Sequence, residues 1–345
     1  MWLFEGLKAT SGVIRKYPSA QPIDLGEIVD RDPPLDEPVD IILVPNALIG
    51  CYGHITTGLK NIDLIAYPQH RGAIGAKGLL SNYLLKRKVK VDRPAISIVS
   101  GWSSGFYHFT LESLMKLFVL RDYIEGSTIV LPADREPFQD EWLRLLGIQD
   151  VTYVASRELV HTPLAISSTF PASGQNHHDL VLPLFREWIF EKVGSKENAL
   201  RPTRIFVGRR TGSQRNLTNQ DEMASVLEDR GFEFILMEDH SIAEQIDLFR
   251  NAETIVAVHG ASLANLAFCT PGTIVVDLIH ESYDQQCFLK LSKILGLKYR
   301  RVFCTGEPTT EEDARLKDFT AEPETILEQL EELETDSGVS VVASG

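Results

Sequence analysis

Arg209 and Arg210 follow the apolar run Ile205-Phe206-Val207 with only Gly208 between, and Arg215 comes after a short polar loop. Three guanidinium groups at a strand end can neutralise a phosphate through paired N–H donors. A solvated basic loop has the same composition, so both readings stay open. Further on, His259-Gly260-Ala261-Ser262 breaks the β-branched run Thr254 to Val258 before the apolar turn Leu263 to Phe268. The first N–H groups of such a turn, with the positive end of its dipole, suit a diphosphate. Gly260 and Ala261 would let that ligand come close, although most βα turns bind nothing. Ser262 offers a rival chemistry, because Gly260-Ala261-Ser262-Leu263-Ala264 is one residue away from the G-x-S-x-G nucleophile elbow. Asp277 and His280 follow in hydrolase order but with too little chain between them, which leaves a serine hydrolase as the alternative.

A third group lies in Ser100-Gly101-Trp102-Ser103-Ser104-Gly105-Phe106-Tyr107-His108, which opens a helix running to Tyr123. His108 and Glu112 are four apart and share one helix face. A carboxylate beside an imidazole can act as a general base when an acceptor hydroxyl reaches it. From the residues alone a capping carboxylate with a core histidine is the favoured reading. His177-His178-Asp179 makes a poor chelate, since adjacent side chains diverge, and reads as a helix start. Asp30-Arg31-Asp32 spells DxD, but in a proline-flanked polar stretch rather than at a strand end. Cys51, Cys269, Cys287 and Cys304 are scattered, so neither zinc nor a disulfide framework is predicted. No metal site is assigned.

The elements that must position these groups are strands alternating with helices. Val39 to Val44, Ile62 to Tyr67, Ala95 to Val99, Thr128 to Leu131 and Val151 to Val154 read as strands of a first, largely parallel α/β domain. The series restarts with Arg204 to Val207, Phe232 to Met237, Thr254 to Val258, Thr273 to Ile279 and Leu297 to Phe303. Thr218 with Asp221, and Ser241 with Glu244, read as helix-capping boxes. The expectation is α/β, two Rossmann-like domains facing a cleft. Residues 1–193 form the N-terminal acceptor-side domain, 203–305 the C-terminal nucleotide-binding domain, and 306–345 an acidic tail whose one helix packs back on the N-terminal domain.

The formal net charge of −14 argues against nucleic acid as a partner, because phosphate neutralisation needs a basic face. No stretch approaches the length of a spanning helix and no leader is recognisable, so a cytoplasmic protein is expected. Lys86-Arg87-Lys88 leaves peripheral membrane contact as a minor alternative.

Three segments, GWSSGFYHFTLESLMKLFVL, RIFVGRRTGSQRNLTNQDEM and EQIDLFRNAETIVAVHGASLANLAFCTPGTIVVDL, together resemble glycosyltransferase family 61, in particular its bacterial capsule-type members. The resemblance implies a GT-B-like fold and an inverting, metal-independent transfer from a nucleotide sugar, expected to be a UDP-sugar, to a hydroxyl of a glycan acceptor. No cofactor is implied beyond that co-substrate. By the same resemblance Arg209, Arg215 and less clearly Arg210 meet the donor diphosphate, and His259, Gly260, Ala261, Ser262 and Asn265 form the donor turn. Glu112, standing where many members carry Asp, is then the catalytic base, with His108 beside it. A binding module without turnover is the non-enzyme alternative.

Overall fold

The computed structural model describes residues 12–17, 38–57, 60–62, 85–99, 102–194, 201–210, 212 and 214–335. Asp30 and Asp32 lie outside these, as does most of the strand expected at 62–67. Contacts divide the chain into two compact units, with the boundary between Val193 and Gly194.

The first unit departs from the largely parallel sheet that the alternation predicts. Its strands are β1 (Gly12–Tyr17), β2 (Val39–Gly50), β3 (Ile55–Thr57), β4 (Lys60–Ile62), β5 (Arg87–Lys90), β6 (Ala95–Ser97), β7 (Thr128–Pro132), β8 (Val151–Val154) and β9 (Glu158–Ser168). They form a mixed sheet in the order β4-β3-β2-β9-β6-β7-β8, with β1 on β2 and β5 on β9, and the short strands β10 (Ala172–Ser173) and β11 (Asn176–His177) pair separately. The difference arises at β9, which runs antiparallel to β2 and parallel to β6. Pro163 disguises this strand, since proline has no N–H for a central ladder. The ladder with β2 accommodates it by passing over Pro163 and Asn46, whose φ is 47°. The core beneath is aliphatic, with Ile42, Val44, Ile49, Ile55, Val130 and Val160 all buried.

In the second unit β12 (Arg204–Val207), β13 (Glu233–Ile235), β14 (Thr254–Val258), β15 (Ile274–His280) and β16 (Lys298–Gly306) form a parallel sheet in the order β13-β12-β14-β15-β16. Every residue of β14 and β15 is buried. Such fully buried, largely apolar strands, interrupted in β15 by Asp277 and His280, are what a parallel sheet covered on both faces demands. The chain leaves β12 first toward β13 and returns to β14 on the other side. Crossovers diverge between β12 and β14, and in open α/β sheets ligands bind outside the carboxyl ends of strands at such a switch point.

The last strand, β17 (Phe319–Thr320), pairs antiparallel with β16. The tail helix (Pro323–Thr335) seats Ile326, Leu330 and Leu333 in the second unit's own core beside Phe206, Val256 and Val276. That corrects the expectation of a return to the N-terminal domain. The apolar stripe belongs to the sheet whose sequence immediately precedes it, and Arg204 on β12 reaches Glu334 at 2.8 Å.

Candidate functional site

Two polar clusters stand out, one in each unit. In the second, β12 ends at Val207 and the chain turns through Gly208 into Arg209. Gln220 clamps that turn, accepting from the Arg209 N–H at 2.7 Å and donating to its carbonyl at 3.0 Å. From there Arg209 Nη1 donates to the His259 carbonyl at 3.0 Å, so the second residue after β12 is bonded to the first after β14 across the switch point. Its guanidinium occupies the space over Gly260, where a Cβ would fall 2.3 Å from Nη1. The glycine's room is thus taken by an arginine, not left for a ligand. Gly260 itself has an extended φ of 176°, which any residue can adopt.

Burial and, next, the like charge of Arg215 push the Arg209 pKa down to about 10, with Glu238 and Asp318 opposing. Both arginines therefore sit where an anion would relieve them. Arg215 has the left-handed φ of 60°, and its Nε is buried without an acceptor among the described residues. Arg210 turns away, pairing with Asp239 at 2.5 Å on the surface.

The turn expected to hold the donor, Ala261–Phe268, is a 3-10 run rather than an α-helix. Ala261 is exposed and Ser262 half-buried at its start. Asn265 is wholly buried and donates to the Ser262 carbonyl and to Gln245 Oε1, both at 3.0 Å. It staples the turn to the helix Ile242–Asn251 and faces no open surface. His259 is buried too, with Nδ1 2.8 Å from Asp277 Oδ2. The same oxygen accepts the Tyr299 hydroxyl at 2.5 Å. Burial first, and then Asp277, hold that phenol well above its usual pKa, so it is the donor. The hydrolase arrangement does not assemble, because Asp277 is committed to His259 and Tyr299 while His280 Nδ1 accepts the Ser282 N–H at 3.0 Å.

In the first unit the expected helix is interrupted. Phe106–His108 is α-helical, Phe109–Ser113 is a π-turn and Leu114–Val119 resumes the α-helix. π-bulges are frequent at functional sites. Glu112 lies within this one and is 3% exposed. Its Oε1 sits 3.1 Å from His108 Nδ1 and accepts the Gly174 N–H at 3.2 Å. His108 is the more accessible partner, at 28% exposure of its side chain. Nearby, the Tyr107 hydroxyl donates to the Gly174 carbonyl at 3.0 Å and lies 3.2 Å from His177 Nε2. The hairpin Ala172–Ser173 with Asn176–His177 thus buttresses the carboxylate. Nothing local in the sequence marks this, since the contacts span more than sixty residues. Lys116, one turn beyond Glu112, is also buried, and desolvation drops its pKa to about 8 against the opposing pull of Glu112. Among the described residues no three His, Cys, Asp or Glu side chains converge as a metal would need.

Residues 106–276 match the family described as Glycosyltransferase 61. The match covers just under half the chain and includes both clusters up to Val276. The chain is 28% identical to xylan glycosyltransferase MUCI21 of Arabidopsis thaliana, over 31% of this chain and 23% of that protein. Rice β-1,2-xylosyltransferase XAX1 is 24% identical over 52% of this chain and 36% of its own length. The EGF domain-specific O-linked N-acetylglucosamine transferase of Gallus gallus is 25% identical over 31% and 20%. The chain thus spans well under half the length of these relatives. They are plant and animal proteins, so the family reading is supported and its bacterial capsule-type branch is not. Among solved structures, E. coli heptosyltransferase WaaC with ADP aligns with a TM-score of 0.36 at 10% identity, over 72% of this chain and 99% of that one.

Proposed function

We propose that the protein is a glycosyltransferase that moves a sugar from a nucleotide diphosphate donor, a UDP-sugar, to a glycan hydroxyl. The observation that carries the reading is the bond from Arg209 to the His259 carbonyl across the switch point, with Arg215 beside it. Displacement at an anomeric carbon leaves charge on the departing diphosphate. Two partly desolvated guanidinium groups and the N–H groups opening the 3-10 turn can carry that charge where other enzymes use a metal ion. Xylosyl and N-acetylglucosaminyl transfers are the activities named for the relatives. Inversion, a cytoplasmic location and peripheral membrane contact belong to the same reading; among the described residues no helix is long and apolar enough to cross a membrane.

In this reading the base is the His108–Glu112 pair, and the burial of Glu112 supports the division of roles between them. A carboxylate at 3% exposure is poorly placed to meet a sugar hydroxyl, whereas it can hold the imidazole by Nδ1 and leave Nε2 to take the proton. The test is transfer from a panel of nucleotide sugars, with and without EDTA, by wild type and by His108→Ala, Glu112→Gln and Arg209→Ala. Each His108 or Glu112 variant should lose roughly 10²–10⁴-fold in kcat, with His108→Ala at least as impaired. Arg209→Ala should also weaken donor binding. Full activity in both dyad variants would overturn the base assignment, and strict metal dependence the metal-free reading.

A further inference from the structure

Arg215 poses a problem that the donor-site reading leaves open. A non-glycine residue at φ 60° is held in the left-handed region only when its surroundings over-determine it. On its C-terminal side the chain is fastened, since Asn216 donates its backbone N–H to Asp318 Oδ1 at 2.7 Å and accepts the Phe319 N–H at 3.0 Å. Those bonds fix the backbone and leave the long side chain to choose its direction. What meets the guanidinium is the ring of Tyr283, with Cζ 5.5 Å from its centroid.

Tyr283 is itself well placed to give direction. It follows β15 in a tight turn, its N–H donating to the His280 carbonyl at 2.8 Å. Its ring is half-buried and stands edge-on to the His259 imidazole, at 5.5 Å between centroids and 89° between planes. His259 is in turn immobilised by Asp277 and packed against Phe288 at 5.2 Å. One aromatic side chain therefore meets both the guanidinium of the arginine loop, which lies over its ring, and the imidazole of the donor turn, which stands perpendicular to it. It lies beyond the segment that matches the family.

We propose that Tyr283 is a positioning residue for the diphosphate, fixing the Arg215 guanidinium at a set distance from the His259–Gly260 turn through a cation–π contact. This rests on the reading of Arg209 and Arg215 as a diphosphate site. The ring's quadrupole attracts the guanidinium without using up any N–H, so all five donors remain for the ligand.

The experiment is calorimetric titration of UDP, and of inorganic pyrophosphate as the phosphate-only probe, into the full chain. Tyr283→Phe, which keeps the ring, should bind within about twofold of wild type. Tyr283→Leu should bind about tenfold more weakly, and the same change made in Arg215→Ala should cost almost nothing further, because the two act as one unit. Successively fluorinated phenylalanines at position 283 keep the shape and drain the ring's negative face. Affinity should fall stepwise along that series, which a purely steric role would leave flat, and this arm holds even if Tyr283→Leu fails to fold. A flat series, or additive losses in the double variant, would overturn the proposal while leaving the donor site standing. Failure of wild type to bind either probe would overturn both.

Discussion

Gly260 matters for the space above it. A methyl group there would displace Arg209 Nη1 without straining the backbone. Gly260→Ala is therefore expected to lower UDP affinity by about tenfold while shifting stability by less than about 1 kcal/mol, as calorimetric titration and urea denaturation would show. Lys116 carries a pH signature of its own. Its folded pKa of about 8 lies below the 10.5 usual for a lysine, so the unfolded chain binds the proton more tightly between those limits. The associated stability is present above the unfolded pKa and is lost as pH falls through about 8. Wild type should thus gain up to about 3 kcal/mol between pH 8 and 10.5 from this group, and the Lys116→Met variant should lack that rise in urea titrations across the window. Individual site residues were legible to different degrees. Arg209 and the HGAS turn were readable because each directly follows an apolar strand. The commitment of Arg210 to Asp239 and of Asn265 to Gln245 was not, since both depend on partners about twenty or more residues away.

At the level of elements, β12, β14 and β15 could be read to within a residue, because burial on both faces leaves long β-branched runs, whereas the expected C-terminal ends of β13 and β16 miss by two and three residues. The capping box at Ser241 was equally visible, and its two reciprocal bonds to Glu244 are formed. Ser241→Ala is expected to cost about 1 kcal/mol in urea denaturation. Thr218 misled, for Asn219 takes the cap position and the Thr218 hydroxyl meets Thr320 at 2.5 Å. The π-turn at Phe109–Ser113 leaves no trace in the periodicity, since every residue of it is buried and no break residue marks it. It nevertheless decides which way Glu112 faces.

For the whole molecule, the two clusters occupy separate compact units, one holding the dyad and the other the arginines. Nucleotide binding and proton transfer should accordingly come apart. In thermal melts, UDP at a hundred times its Kd should stabilise wild type and Glu112→Gln alike, by about 2.7 kcal/mol, and leave Arg209→Ala almost unmoved at the same concentration. The fastening of residues 216–218 to 318–320 has a further consequence in time. Asn216 bonds to Asp318 and Phe319, Leu217 bridges to Phe319 and Thr218 meets Thr320, so the loop bearing Arg215 is completed by chain made some hundred residues later. Synthesis runs from the N-terminus and units fold as they emerge. The His108–Glu112 pair can form while the ribosome is still at work, but the loop bearing Arg215 must wait for β17, and a chain released before Phe319 should keep the first cluster and lack the second.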